Sequence, residues 1–387
     1  MTTATGNPQL IDAIRADIAA QGGRITFAHF MQQALYHPQW GYYRAAQRRP
    51  GRPGDFLTAP EAHPFFGITI ARQIAECWQR LGQPLPFTVR EYGPGIGGLA
   101  WDIIGGLQRE APACLSALTY ELVEQNPQRL AEGLAAFASE GLSDVVRGLD
   151  PADAAPMTGV ILGNEVADAF PVHRLLWQDG ALREGWVTWD GAGFAEAIGE
   201  LSPEATAASP AAMLARHGIA LHDGDRIEIS PATTAWFTEA VSRLQRGYVI
   251  LIDYGYPAPQ LYRDHRLEGT VRAYRAHTVT DDPFGHVGEQ DLTAHVDFSA
   301  LREAGEAAGL TFAGQTTQAA FLTSLHMGDL MLALGQDPET IMEEYMAAQA
   351  AVLRLIDPGS LGRFGVLLMA RCAPVEPPLR GLSFPPL

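Results

Sequence analysis

Three short stretches of this sequence hold residue types that could do chemistry. In the first, Glu91-Tyr92-Gly93-Pro94-Gly95-Ile96-Gly97-Gly98, an acid precedes a run of closely spaced glycines. Glycines so placed allow a tight turn and let a ligand approach the main chain. The second, Tyr120-Glu121-Leu122-Val123-Glu124, closes a predicted strand with an acid. An acid there can accept both hydroxyl hydrogens of a ribose; it could equally cap the helix expected from Pro127. The third, residues 163–172 (GNEVADAFPV), offers the Asn164 carbonyl and the Glu165 and Asp168 carboxylates. Three residues apart, the two acids would share a face if the chain made one helical turn. Such a cluster suits a cationic, many-donor group such as a guanidinium; the plainer alternative is capping and complementing a helix dipole.

The glycine stretch fits two patterns. Gly93, Gly95 and Gly98 match a dinucleotide fingerprint. Glu91, Gly93, Gly95 and Gly97 match the loop that holds S-adenosylmethionine (SAM). Electrostatics favours the second: an acid at the loop's mouth would repel a pyrophosphate. SAM carries no phosphate, and its ammonium and sulfonium are both cationic.

The elements that must position these residues follow an α/β rhythm. Strands are predicted at 87–92, 118–124, 144–147, 159–163, 248–253, 310–315 and 365–371. Helices fall at 97–110, 126–139, 232–245, 299–308, 317–334 and 338–356. Strand alternating with helix predicts a parallel sheet covered on both faces. Asp253-Tyr254-Gly255, after the strand at 248–253, either faces the cleft or makes a turn. Residues 1–85 form an N-terminal region: helices at 9–21 and 25–35, the latter capped by Thr26, and another at 62–81. An aromatic turn at 36–43 leads into a loop with Arg44, Arg48, Arg49 and Arg52, read as solvated. The core, 86–372, is interrupted near 172–225 and 255–290. The first interruption opens with a hairpin, and its Ala-, Ser- and Pro-rich part, 196–217, reads as a surface excursion. The Pro-rich tail, 373–387, reads as extended.

Composition excludes several chemistries. All 27 basic residues are arginines, so no lysine serves a P-loop, a Schiff base or a general base. A formal charge of −17 argues against nucleic-acid binding. Cys77, Cys114 and Cys372 have neither disulfide nor zinc spacing. Asp291, His295 and Asp297 read as turn and core residues, so no metal is expected, and Ser230 reads as a helix cap. No apolar run is long enough for a membrane helix, and the opening residues carry no signal or transit pattern, so the expectation is a cytoplasmic protein without membrane insertion.

Six stretches together resemble the MidA-type SAM-dependent methyltransferases: residues 25–43 (ITFAHFMQQALYHPQWGYY), 54–61 (GDFLTAPE), 91–99 (EYGPGIGGL), 163–172 (GNEVADAFPV), 250–256 (ILIDYGY) and 288–298 (GEQDLTAHVDF). The resemblance spans about residues 9–371. It implies a Rossmann-like sheet of seven strands, the last antiparallel, with N-terminal helices and two insertions. It implies that Thr58, Pro60 and Glu61 help close the cofactor site, beside the cofactor residues Glu91, Gly93, Gly95, Gly97 and Glu124. It sets Glu165, Asp168 and Asn164 on the substrate side. Departures from the family pattern are Gly98, Val166, Ala167 and Gly365. The family includes the mitochondrial arginine methyltransferase that assists assembly of respiratory complex I. The resemblance therefore implies symmetric dimethylation of an arginine-bearing protein, with a peripheral-arm subunit of that complex as the candidate partner, and leaves a homodimer open. An assembly chaperone without turnover, a small-molecule methyltransferase and an NAD-dependent oxidoreductase are the alternatives.

Overall fold

A computed structural model describes residues 5–44, 58–263, 267–275 and 278–384. The chain forms two compact units, each assembled from separated stretches. One gathers the described residues within 1–57, 167–236 and 255–301; the other gathers those within 58–166, 237–254 and 302–387.

The second of these units carries the seven-stranded sheet. Its strands are β1 (Phe87–Tyr92), β2 (Leu118–Val123), β3 (Val146–Gly148), β4 (Met157–Asn164), β5 (Leu244–Asp253), β6 (Thr311–Thr317) and β7 (Gly365–Arg371). The order across the sheet is β6-β7-β5-β4-β1-β2-β3. β7 runs antiparallel to both β5 and β6, and the remaining pairs are parallel. This is the sheet expected from the sequence. All six residues of β1 are buried, as a central parallel strand covered on both faces requires. Arg90 on β1 is buried too, and its Nε donates to Glu121 Oε2 on β2 at 2.7 Å.

The boundaries differ from the sequence reading in three informative places. β2 stops at Val123, so Glu124 is the first residue beyond the strand. The helix expected over 317–334 is two helices, Gln318–Ser324 and Met327–Gln336, because His326 between them takes a left-handed conformation (φ 60°). The Pro-rich tail is docked. Leu379 is fully buried, Gly381 N–H donates to Gln73 Oε1 at 2.9 Å, and Arg80 donates to the Pro377 and Pro378 carbonyls.

In the other unit the N-terminal helices, Pro8–Ala20 and Phe27–Tyr36, share a core with both insertions. Leu10, Ile14, Phe27, Phe30 and Leu35 pack with Val187, Val271 and Leu292. Thr26 caps the second helix as expected, its Oγ1 accepting from His29 N–H at 3.1 Å. Ile25 and Thr26 themselves form a short strand beside Val187 and Trp186. The strand Ala181–Trp189 pairs with the strands Ile25–Thr26, His173–Gln178 and Phe194–Gly199, and Arg226–Ile229 extends the sheet beyond His173–Gln178. The 196–217 stretch is thus no surface excursion. It begins in a strand and continues into two short helices, where Ala205 and Leu214 pack with Leu175 and Ile227 in a second core.

Candidate functional site

In an open parallel sheet, ligands sit beyond the carboxyl ends of the strands where the order reverses. Here that point lies between β1 and β4. The glycine loop leaves β1 and the Asn164-Glu165 pair leaves β4, and both belong to the sheet-bearing unit.

Gly93, Gly95 and Gly97 all have positive φ, at 68°, 59° and 86°. Their reasons for being glycine differ. A Cβ on Gly97 would come within 2.7 Å of the Phe137 ring, so packing forbids one. Among the described residues a Cβ on Gly95 would meet nothing within 4 Å: the loop faces open space there, as a ligand cradle must. The helix Gly98–Glu110 starts directly after this loop.

Glu124 ties the loop to β2. Its Oε2 accepts from Gly95 N–H at 3.0 Å and its Oε1 from Asn126 N–H at 2.8 Å. The helix Pro127–Ser139 is capped by the Asn126 side chain instead, which accepts from Gln128 and Arg129 N–H. Burial raises the Glu124 carboxyl above its ordinary range against these hydrogen bonds. Glu91 does not stand at the loop's mouth as the sequence suggested. It is 3% exposed and lies at the end of β1, accepting from Tyr120 O–H at 2.7 Å. Burial pushes it up to about 7, and the Glu124 charge adds to the effect.

Asn164 is the last residue of β4. Its Nδ2 donates to Glu165 Oε1 at 3.2 Å, while its Oδ1 is buried and has no donor among the described residues. A buried acceptor left without a donor costs about 1–3 kcal/mol, which a ligand N–H would recover. Glu165 Oε1 also accepts from Ala59 N–H at 2.9 Å. The turn is fixed from β5: Glu165 N–H donates to the Ile252 carbonyl at 2.9 Å, and Val166 N–H to Asp253 Oδ2 at 3.0 Å. Burial drives Glu165 up to about 7. The Ala59 and Asn164 hydrogen bonds oppose the shift, and the Asp253 and Glu61 charges reinforce it.

Glu165 has φ 50°, a left-handed conformation that ends any helical turn, so the condition under which Glu165 and Asp168 would share a face is not met. Asp168 belongs to the other unit. Its carbonyl accepts from Ala294 N–H at 2.9 Å, and its charge helps to raise the buried Tyr43 hydroxyl, after burial itself and Asp291.

Thr58, Pro60 and Glu61 start the short helix Ala59–Ala62. Glu61 Oε2 accepts from Thr58 N–H at 3.2 Å and from Thr58 Oγ1 at 3.0 Å. Burial raises Glu61 as well, against hydrogen bonds from Thr58. Gly54 to Leu57 of that motif, and Arg48, Arg49 and Arg52, lie outside the described residues.

Four carboxyls of one unit, Glu61, Glu91, Glu124 and Glu165, therefore all hold their protons more tightly than in water. A cation would relieve them, and a pyrophosphate would make matters worse. With the open space over Gly95, this acceptor-rich arrangement fits SAM. Asp253 is the residue that sequence reading undervalues. Its signal is an acid ending the most apolar strand, and its role is to hold the turn after β4.

The remaining candidates are structural. Asp291 accepts from Tyr43 O–H, Asp297 caps Ser299 and Ala300, and His295 lies against the Tyr256 ring. Ser230 Oγ accepts from Thr233 N–H at 3.2 Å, as a helix cap does.

Comparison with known proteins agrees with this geometry. The profile of an S-adenosyl-L-methionine-dependent methyltransferase family matches residues 69–316. The chain is 29% identical to the mitochondrial protein arginine methyltransferase NDUFAF7 homolog of Drosophila melanogaster, over 94% of this chain and 85% of that one. It is 26% identical to the NDUFAF7 protein of Danio rerio, over 96% and 89%. A crystal structure from Burkholderia thailandensis, bound to S-adenosyl-homocysteine, superposes with a TM-score of 0.86 at 34% identity, covering 99% of this chain and 98% of that one.

Proposed function

We propose, from the premise that this chain belongs to the family of S-adenosyl-L-methionine-dependent methyltransferases, that it methylates an arginine of a protein substrate. The observation that carries the proposal is the Asn164–Glu165 pair at the end of β4, with one acceptor buried and unsatisfied among the described residues, beside a carboxylate of raised proton affinity. The arginine-methyltransferase names of the relatives at 25–29% identity support the same reading.

Bound SAM supplies an electrophilic methyl on a sulfonium. The chain's residues do the rest. Gly95 leaves room for the cofactor, and Glu124 holds the loop in shape. Asn164 Oδ1 accepts one guanidinium N–H and Glu165 another, which fixes the direction of the attacking nitrogen. Arginine is protonated at neutral pH, and the transition state carries added positive charge on the acceptor. Glu165, ionised by the arriving cation, stabilises that charge. The methylated guanidinium sheds one proton, and a carboxylate whose resting affinity lies near neutrality is suited to carry it toward solvent. Asp168, in the other unit, is assigned no step.

For the substrate we propose an arginine segment of a peripheral-arm subunit of respiratory complex I, captured before assembly is complete, with symmetric dimethylation. This rests on the family resemblance and on a net charge of −17, which attracts basic segments over a range set by ionic strength. The test is mass spectrometry of the proteome with and without the gene. Loss of one dimethylarginine from a complex I subunit is the expected result. An unchanged arginine-methylation map, with normal levels of the complex, would overturn it.

A further inference from the structure

One surface of the sheet-bearing unit has no use in the reaction above. The helix Met342–Ile356 buries Ala348, Val352 and Leu355 against the rest of the unit. Its opposite side is also largely apolar. Met342 is 72% exposed, Met346 60% and Leu353 58%, with Gln349 and Ala350 exposed between them. At 100° per residue, positions 342, 346, 349, 350 and 353 form a single stripe, in which Gln349 is the one polar member. A surface helix ordinarily turns its polar side outward, so a second apolar stripe needs a cover. The neighbouring helix, Met327–Gln336, adds Leu332 at 65% exposure, and the residue before the stripe, Ile341, is 59% exposed.

The charges beside the stripe say what the cover is. Glu343 lies on one edge, in the first turn, and Arg354 lies on the same edge, in the last turn. Neither forms an ion pair or side-chain hydrogen bond among the described residues. We propose that this face is a homodimer interface in which the Met342–Ile356 helices of two copies pack antiparallel about a twofold axis. A twofold axis across the helix pair carries each edge onto itself with the direction reversed. Glu343 of one copy then meets Arg354 of the other, twice, with the axis passing at the level of Ala348 and Gln349. The polar member of the stripe thus falls at the axis. There the two Gln349 amides face each other, and each can donate to the other's carbonyl. Met346 of each copy fits against Ala350 and Leu353 of its partner, and the small Ala350 lets the backbones approach. A basic foreign partner would satisfy Glu343 and leave Arg354 facing like charge; a second copy satisfies both.

Size sets a further condition. A helix of 15 residues is about 22 Å long and 10–12 Å wide. Alone it falls short of the ~800 Å² per partner of a stable interface, so the Leu332 helix must take part.

Sedimentation equilibrium of the full chain at micromolar concentrations, with and without SAM, tests this. The native chain should be a dimer. Met346→Glu with Leu353→Glu should give monomers, and Leu332→Glu should weaken the dimer at least tenfold. Glu343→Arg alone and Arg354→Glu alone should each weaken it, while the two together restore it, because each edge again pairs opposite charges. SAM affinity measured on every variant confirms that it is folded. A monomeric native chain would overturn the proposal. So would a dimer unmoved by the glutamates, or a charge swap whose double variant is no better than the singles, since a lipid surface or a different protein would then be the cover.

Discussion

Replacing Glu165 by glutamine should do two opposite things: slow methyl transfer and stabilise the fold. Glutamine has the same shape, and its carbonyl can still accept from Ala59 N–H. What it lacks is the charge. The carboxyl of Glu165 moves from 4.5 to about 7 on folding, driven first by burial and then by Asp253 and Glu61 against the two hydrogen bonds. Each tenfold of proton affinity is worth about 1.4 kcal/mol, so ionised Glu165 costs the folded chain up to ~3 kcal/mol. The residue is half-buried, and solvent screening brings that closer to ~1–2 kcal/mol. The sign follows from the direction of the shift. The folded state binds the proton more tightly than the unfolded one. The cost is therefore absent below pH 4.5, grows between 4.5 and about 7, and is constant above. Urea unfolding of the two proteins, without SAM, should give equal stability at about pH 4.5 and a glutamine variant ahead by ~1–2 kcal/mol at about pH 8. Methyl transfer should meanwhile fall about 100-fold, the loss of roughly 3 kcal/mol of transition-state stabilisation, with SAM affinity within about threefold of native. A variant less stable at the higher pH, or near-native in transfer, would refute the argument that this carboxylate waits for a cation.

Gly95→Ala and Gly97→Ala should separate binding from folding. The first puts a methyl into open space at a strain of about 1 kcal/mol and should lower SAM affinity at least tenfold by calorimetry. The second drives a methyl into the Phe137 ring and should cost about 2–4 kcal/mol of stability by thermal unfolding. Asn164→Ala should retain SAM binding and raise KM for the protein substrate in a radiolabelled-methyl assay, because it removes the Oδ1 acceptor offered to the guanidinium together with the Nδ2 donor to Glu165. Glu121→Ala leaves Arg90 charged in the sheet and should cost about 3–5 kcal/mol in urea unfolding with no direct effect on the site.

The sheet was legible in the sequence because its signals are local. A strand such as Tyr248-Val249-Ile250-Leu251-Ile252 can only be buried on both faces, and glycines between a strand and a helix announce a ligand loop. Thr26 and Ser230 were legible as caps for the same reason. What escaped was made by pairing at a distance. Nothing near Ile25 reveals that it lies beside Val187, and nothing near Ala205 reveals the core it shares with Leu175. Whether 165–168 makes a helical turn is not legible locally, because an acidic spacing of three is only an opportunity. Asp253 and Ile252, nearly ninety residues on, hold Glu165 in a left-handed conformation that no local pattern encodes.

The place of β7 between β5 and β6 has a consequence for how the chain is made. β5 leaves the ribosome long before its partner: Asp253 precedes Gly365 by the whole of residues 254–364. At ~5–20 residues per second, the edge of β5 stays open for roughly 5–20 s. That edge is Val249-Ile250-Leu251-Ile252, four of the most apolar residues in the protein, and β6 is made in the interval with no neighbour of its own in the sheet. An open apolar edge invites another nascent chain. A translation pause placed between residues 300 and 360 should therefore increase aggregation and chaperone capture, whereas the same pause before residue 244, when β5 has not been made, should not.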